Sequence, residues 1–453
     1  MHEALAAVAT YLIVLAAGDL CCVVLDIAVR HLTSWLGLRF LCGSGVVAVL
    51  MLALHFLGVG FGLRSVCGVI LIAWLAARLI GRARIARQPQ LQWDWSDALL
   101  LPVFGLALGH GLAEPIYTSD PMNIYGQNAR VFEVHGSLAP EALKALVDPG
   151  HIDYPPLVAL DEALLFLAAP GMRERVVKPM FALFLLAFLV LARDVIRMRL
   201  RPAAALLLIA ALAFTPELRH YGARGFADLP LAAFLMAFVV LASDALERRR
   251  VLAALAAGSL LGFGALTKNE GFAVAVLAAP VLALVAVARR WRVAVVAAIV
   301  IPALGLGLAW YAFRQAHGID SDLFQSFDAR TALANLARVP RILTEFARVP
   351  LRRNNQQLLM WGAFWFGWVV TIALGLVSRL ADRRALLAWG SVWLAHLALY
   401  LGIYVITPRN LEWHLVTSAQ RLVLHLLPWT VMVWVAALER VAGTSERIGA
   451  ASR

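Results

Sequence analysis

A chain of 453 residues that is 62% hydrophobic and 15% charged is not a soluble domain, because soluble domains carry about a quarter charged residues. Apolar runs long enough to cross a bilayer recur along its whole length, which excludes a soluble protein on a single anchor. The net charge is +12, yet the arginines stand in short clusters between apolar runs, as in cytoplasmic loops, and this excludes nucleic acid as the partner.

The first run starts at Ala4 with no basic stretch before it and no small-residue cleavage site, so it is read as a retained helix. Candidate spans then follow at 4–29, 36–61, 64–81, 97–113, 176–195, 203–215, 229–245 and 251–266. The remaining ones are 271–288, 293–312, 357–378, 385–405 and 421–438, which makes about thirteen. Arginine clusters orient them: Arg78, Arg82, Arg84 and Arg87; Arg193, Arg197, Arg199 and Arg201; Arg248 to Arg250; Arg289, Arg290 and Arg292; Arg379, Arg383 and Arg384. Placing every cluster in the cytoplasm puts the N-terminus outside and the C-terminus inside. The apolar run 157–169 is short and carries Asp161 and Glu162, so it is expected as an interfacial helix on the outer leaflet beneath the neighbouring loop.

This orientation brings five polar segments to the outer side: 114–175, Pro216–Asp228, Thr267–Glu270, Arg314–Gln357 and Thr407–Arg421. Within 314–357, Leu323, Phe327, Leu333 and Leu336 alternate with basic residues at helical spacing, as in amphipathic helices on a membrane surface. The longest of these polar segments begins at Glu114, far longer than a connection between two helices requires, and such loops carry function. The expected fold is all-α and polytopic, with outer-face juxtamembrane helices. Its parts are a three-helix N-terminal segment over 1–96, a catalytic membrane domain over 97–440 with outer loops 114–175 and 314–357, and a cytoplasmic tail over 441–453. Cys21, Cys22, Cys42 and Cys67 all lie in candidate spans and are read as packing residues. Asp19 and Asp26 in the first span have no partner visible in the sequence.

Asp120 follows a span directly and is flanked by Tyr117, Asn123 and Tyr125, so it is either a general base for an acceptor hydroxyl or the N-cap of a helix opened by Pro121. Asp153, in His151-Ile152-Asp153-Tyr154-Pro155-Pro156, reads first as a turn residue. Asp228 stands at the mouth of a span, where an acid is expensive unless paired or hydrated; it is a functional group or a capping partner of Arg224. Lys268 lies in a tight outer turn, suited to a lipid-borne phosphate or to pairing with Glu270. His414, Ser418 and Arg421 share a helical face, suited to a phosphate or to snorkelling of the arginine. His396 and His425 read as satisfied interior histidines. Tyr154, Tyr221 and Glu412 complete the expected substrate lining with Tyr117, Asn123, Tyr125, Asp153 and Glu270.

These pieces, in this order, resemble the GT-C superfamily of membrane glycosyltransferases, of the protein O-mannosyltransferase and lipid A aminoarabinose transferase type. The resemblance covers roughly 97–430 and rests on Asp120, Asp-Tyr-Pro-Pro-Leu at 153–157 and Ala-Asp-Leu-Pro-Leu at 227–231. Leu-Thr-Lys-Asn-Glu-Gly at 266–271 and Trp-His-Leu-x-Thr-Ser-x-x-Arg-Leu at 413–422 complete it. It implies an inverting transferase that takes a sugar from a polyprenyl-phosphate donor to a hydroxyl of an envelope glycan, lipid or protein. The implied place is the outer face of a bacterial cytoplasmic membrane. Asp120 would be the base, Asp228 the second acid, and Lys268, His414 and Arg421 the phosphate ligands. The scheme needs no metal or other cofactor, although some relatives use a metal. Two departures are plain: three spans precede the usual first helix, and no large C-terminal domain follows.

A transporter is the main rival, but it places polar groups at mid-membrane in broken, repeated helices, whereas here the charges gather at one surface and no repeat is visible. A lipid-linked oligosaccharide ligase or polymerase would share the cationic site and depend less on Asp120. Since neither Lys268 nor Arg421 belongs to an apolar stripe, replacing either with Ala is expected to spare the fold.

Overall fold

The computed structural model describes residues 2–27, 29, 31–80, 91–116, 118–146, 151–289, 292–321, 329–353, 357–377 and 382–450, and contains helices but no strand among them. The chain opens with α1 (His2–Val24), α2 (Leu32–Phe56), α3 (Leu63–Ile80) and α4 (Asp97–Ala113). A π-helical turn over Pro121–Gly126 leads into the short helices α5 (Gln127–His135) and α6 (Pro140–Lys144), then α7 (Leu157–Ala168). Next come α8 (Arg173–Arg199), α9 (Pro202–Ala213), α10 (Pro216–Arg224), α11 (Asp228–Arg248), α12 (Val251–Thr267), α13 (Asn269–Arg289) and α14 (Val293–Ala316). The last are α15 (Ala329–Ala334), α16 (Val339–Arg348), α17 (Phe364–Val377), α18 (Arg383–Ile406) and α19 (Leu411–Ala450).

The chain is an all-α polytopic membrane protein. Among the described residues, 8 helices are long and apolar enough to cross a membrane, and up to 9 if α9 and α10 form one span bent by 49°. Shorter apolar helices are α4, α12, Asn269–Ala283 of α13, and α17. Each expected span falls on a helix, but several differ from a full crossing. The segment 203–215 holds only the 12 residues of α9, because Pro216 has no N–H to continue the helix. The span expected at 357–378 begins only at Phe364, since Gln357 (φ 61°) and Gly362 (φ 52°) take left-handed backbone before it. The first span ends at Val24 for the same reason, with Asp26 at φ 53°.

The expected interfacial helix is α7, and it differs from that expectation in its surroundings. A helix lying on a leaflet buries one face, whereas α7 is buried along nearly its whole length, Leu167 being its one partly exposed residue. It is enclosed by protein, packed on α2, α5 and α1.

The structure divides into two compact units, Met1–Leu191 with Tyr221–Asp320, and Ala192–His220 with Ser321–Arg453. In the first, α12 packs on α11 and α14. Gly258 and Gly262 form a small-xxx-small pair on α12, and a Cβ at either would collide with the α14 backbone at Ile299 or Pro302; glycine there permits the close backbone approach that holds membrane helices together. The N-terminal helices are packed into this unit, Gly37 of α2 lying against Ala187 of α8.

Their buried acids also find partners there. Asp19 accepts hydrogen bonds from Arg39 Nε (2.9 Å), Trp74 Nε1 (2.8 Å) and Arg78 Nε (2.8 Å), and Asp26 pairs with Arg250 at 3.2 Å.

In the second unit α18 packs on α19 through polar rungs. Trp429 Nε1 donates to His396 Nδ1 (2.8 Å), and Tyr400 Oη bridges His396 Nε2 and His425 Nδ1 (2.7 Å each). An indole can only donate, so His396 holds its proton on Nε2 and hands on a donor to Tyr400. Interhelical hydrogen bonds of this kind contribute roughly 0.6–2 kcal/mol each in a membrane.

Candidate functional site

In the first unit, α4 ends beside Glu114, whose carbonyl accepts from Lys178 Nζ and whose carboxylate meets His110 (3.1 Å) and Arg224 (3.4 Å). Arg224, weighed above as a partner of Asp228, is thus engaged with Glu114. Asp120 stands at the N-cap position of the π turn, but its backbone is already helical (φ −61°, ψ −49°) and its side chain makes no capping bond. The turn carries Tyr125 into the protein, where it is 3% exposed. Gly225, at φ +82° between α10 and α11, brings that connection against Pro121: a Cβ there would stand 3.1 Å from the proline ring. A left-handed position in such tight contact requires glycine, and it sets the first residue of α11, Asp228, close to the turn that carries Asp120.

Lys268 separates α12 from α13 in extended backbone (φ −152°, ψ 154°). The two helix ends meet so closely that a Cβ on Gly271 would collide with the Gly264 carbonyl. Lys268 Nζ lies 2.8 Å from Asp228 Oδ1 and 3.4 Å from Glu270 Oε1, and Lys268 and Asp228 are 4% and 1% exposed. This is a buried ion pair with a further carboxylate beside it.

Asp153, 3% exposed, accepts from Asn269 Nδ2 (3.2 Å), and its carbonyl accepts from Trp310 Nε1 (3.1 Å). It ties the Asp-Tyr-Pro-Pro segment to the Lys268 turn and to α14. Tyr154 stacks on His151 (centroids 4.7 Å, 23°) and lies 6.4 Å from the Tyr125 ring. Burial, and then the charges of Tyr154, Asp228, Asp120 and Glu270, push the Tyr125 phenol well above its ordinary value. Tyr125 therefore keeps its proton and remains a donor among carboxylates.

The structure thus gathers Asp120, Tyr125, Asp153, Tyr154, Asp228, Lys268 and Glu270 around one point. Asn123 is exposed on the turn, and Tyr221 is buried edge-on to Phe226 (5.2 Å). Tyr117 lies outside the described residues. Glu412, His414 and Arg421 belong to the second unit. There Glu412 binds Arg341 (2.5 Å), and His414 Nδ1 meets Thr407 Oγ1 (3.0 Å); Ser418 donates to the His414 carbonyl (2.6 Å) and meets Tyr404 Oη (2.7 Å).

Sequence reasoning missed Asn269 and Trp310. Asn269 stood in a motif already quoted, next to the more conspicuous lysine. Trp310 carried the only signal available to it, an indole N–H in an apolar span that must find an acceptor when buried.

Residues 153–312 match the family model described as dolichyl-phosphate-mannose-protein mannosyltransferase, a GT-C superfamily domain. The matched segment contains Asp153, Asp228, Lys268 and Glu270, while Asp120 precedes it. No curated protein and no solved structure matches the chain.

Proposed function

We propose that the chain is a membrane glycosyltransferase of the GT-C type, as the family model matched by residues 153–312 supports, and that it moves a hexosyl or pentosyl unit from a polyprenyl-phosphate donor to a hydroxyl acceptor. The acceptor is an envelope glycan, lipid or protein on the outer side of a bacterial cytoplasmic membrane, and the reaction inverts the anomeric carbon. The observation that carries this reading is the gathering of Asp120, Asp228 and Glu270 about the buried Tyr125, with Lys268 paired to Asp228 and Glu270.

In this scheme the acceptor oxygen attacks the anomeric carbon and the bond from that carbon to the phosphate oxygen breaks. The acceptor's proton passes to the Asp120 carboxylate, and polyprenyl phosphate leaves as the anion. Asp228 is the weaker candidate for the base, since its charge is engaged by Lys268 at 2.8 Å and accepting a proton would forfeit that pairing. Its role is to aim Lys268, with Glu270, toward the donor phosphate. One lysine already facing two carboxylates brings little net positive charge to a leaving phosphate; His414 and Arg421, expected as phosphate ligands, belong to the second unit. Tyr125, a donor held among acids, suits a sugar hydroxyl.

The test is Asp120→Asn, which keeps size and most hydrogen bonding but cannot take the proton. A positioned base contributes roughly 10²–10⁴-fold, so transfer should fall by about that factor while donor binding persists. Parental turnover in Asp120→Asn together with a dead Asp228→Asn would reverse the two roles.

A further inference from the structure

We propose that Arg78, with the buried charge of Arg39 behind it, forms a binding site for the phosphate of an anionic phospholipid, whose chains lie along the exposed apolar side of α3. The site is separate from the carboxylate cluster and does not rest on the glycosyltransferase reading.

The two guanidiniums share one carboxylate, Asp19, which takes Arg39 Nε at 2.9 Å, Trp74 Nε1 at 2.8 Å, and Arg78 Nε and Nη2 at 2.8 and 2.5 Å. Beside Arg39 stand the Trp35 ring, 4.3 Å from its guanidinium carbon, and the Cys22 thiol. Of the other acids near these helix ends, Asp26 meets Arg250 at 3.2 Å, Asp94 accepts from Ser96 at 2.6 Å and Asp97 accepts from Thr33 at 2.6 Å. At the Asp19 contact two guanidiniums meet one carboxylate, and Arg39, 1% exposed, has an Nη1 that no acceptor among the described residues meets. A surplus cation between membrane spans is costly unless it is paired or snorkels to the interface.

The position fits a headgroup. Asp19, Arg39 and Arg78 lie near the end of α1, the start of α2 and the end of α3, which is one side of the membrane for three candidate spans. At 1.5 Å per residue they stand roughly 3–11 Å inside the helix ends, the depth at which phosphates give way to acyl chains. The Arg78 side chain is 37% exposed and opens the cluster outward. Along the same helix Ile72 (71%), Leu75 (53%) and Leu79 (61%) are uncovered, a stripe at helical spacing for lipid chains. Basic pockets between spans are recognised sites for anionic headgroups, and a guanidinium presents paired donors to phosphate.

The test uses the full chain in uncharged detergent micelles, with thermal stability followed while phosphatidylglycerol, phosphatidylcholine of the same chains, or inorganic phosphate is added. Phosphatidylglycerol should give a saturable rise that phosphatidylcholine does not. Arg78→Gln should weaken that response about five-fold, the effect of one basic charge at a membrane surface, and Arg78→Lys should largely restore it. Asp19→Asn removes the competing carboxylate and should tighten it by a similar factor. A merely structural ion pair predicts the reverse, lower stability in both variants and no change in lipid affinity. Equal responses to the two lipids, or a full response to inorganic phosphate alone, overturns the lipid site. Should a variant not fold, the lipids co-purifying with the parental chain decide: phosphatidylglycerol enriched over bulk supports the site, and bulk composition refutes it.

Discussion

Replacing Lys268 with Ala should destabilise the protein severely, contrary to what its sequence context suggests. The lysine is 4% exposed and its partner Asp228 is 1% exposed, with 2.8 Å between the charged atoms. Removing one member of such a pair strands the other charge in a medium that cannot solvate it, at a cost of about 3–5 kcal/mol. Asp228→Asn should cost less, about 1–3 kcal/mol, because Lys268 keeps Glu270 at 3.4 Å. The double variant Lys268→Ala with Asp228→Asn leaves no bare carboxylate at 228 and should be more stable than the sum of the single losses by about 1–3 kcal/mol. Unfolding in mixed micelles titrated with sodium dodecyl sulphate, followed by tryptophan fluorescence, measures all variants on one scale. Additivity within about 0.5 kcal/mol, or a Lys268→Ala variant as stable as the parent, would refute the coupling. Activity of Lys268→Ala has meaning only per folded molecule, which is why the stability measurement comes first.

Three further outcomes are expected. Glu162, on α7 outside the candidate spans, is pushed well above the usual carboxylate range by burial and then by the charge of Asp161. The folded chain therefore holds this proton more tightly than the unfolded one, and stability falls as pH rises from about 4 toward the folded value; Glu162→Gln should raise Tm near neutral pH and add nothing near pH 4, and an unchanged slope of Tm against pH refutes it. Glu345 is the opposite case: burial raises its pKa, but hydrogen bonds from Arg352 (2.6 Å) and Arg341 (2.9 Å) outweigh this and hold it below the ordinary glutamate value. Its contribution is present above that value and lost as pH falls through the folded one, so amide protection over 339–348, corrected for the intrinsic pH dependence of exchange, should fall in acid, and in Glu345→Gln already at neutral pH. Finally, a cysteine at exposed position Arg130 should react with an impermeant reagent added outside and one at Ile85 should not; the reverse pattern would invert the proposed topology.

The helices were legible because apolar runs and the prolines and charges that bound them are local features. What the sequence could not reveal is which charges meet. For Asp228 the sequence offers Arg224, four residues away, and for Lys268 it offers Glu270, two residues away. Lys268 does lie 3.4 Å from Glu270, but its shorter contact is Asp228 at 2.8 Å, forty residues distant, and α11 and α12 pack side by side with Gly225 and Gly271 closing the turns at that end. Asp19 shows the same limit. In the sequence it is an unexplained acid in a span, while in the fold two arginines from two other helices converge on it. The expected surface position of the 157–169 helix failed for a related reason: Asp161 and Glu162 suggested water, whereas Asp161 accepts a hydrogen bond from Ser44 of α2.

The same distinction between local and distant partners separates the two aspartates that the sequence placed together as catalytic candidates. A residue can serve as base only if taking a proton costs it little. Asp228 would give up a buried lysine to do so, and that lysine would then face Glu270 alone at 3.4 Å. Asp120 stands on a partly exposed π turn near the phenol of Tyr125, whose proton is firmly held. Protonating Asp120 therefore removes one negative charge from a cluster in which carboxylates outnumber the lysine. On that ground we propose Asp120 as the proton acceptor and the pair Asp228–Lys268 as the group that would hold the phosphate side of the site rigid.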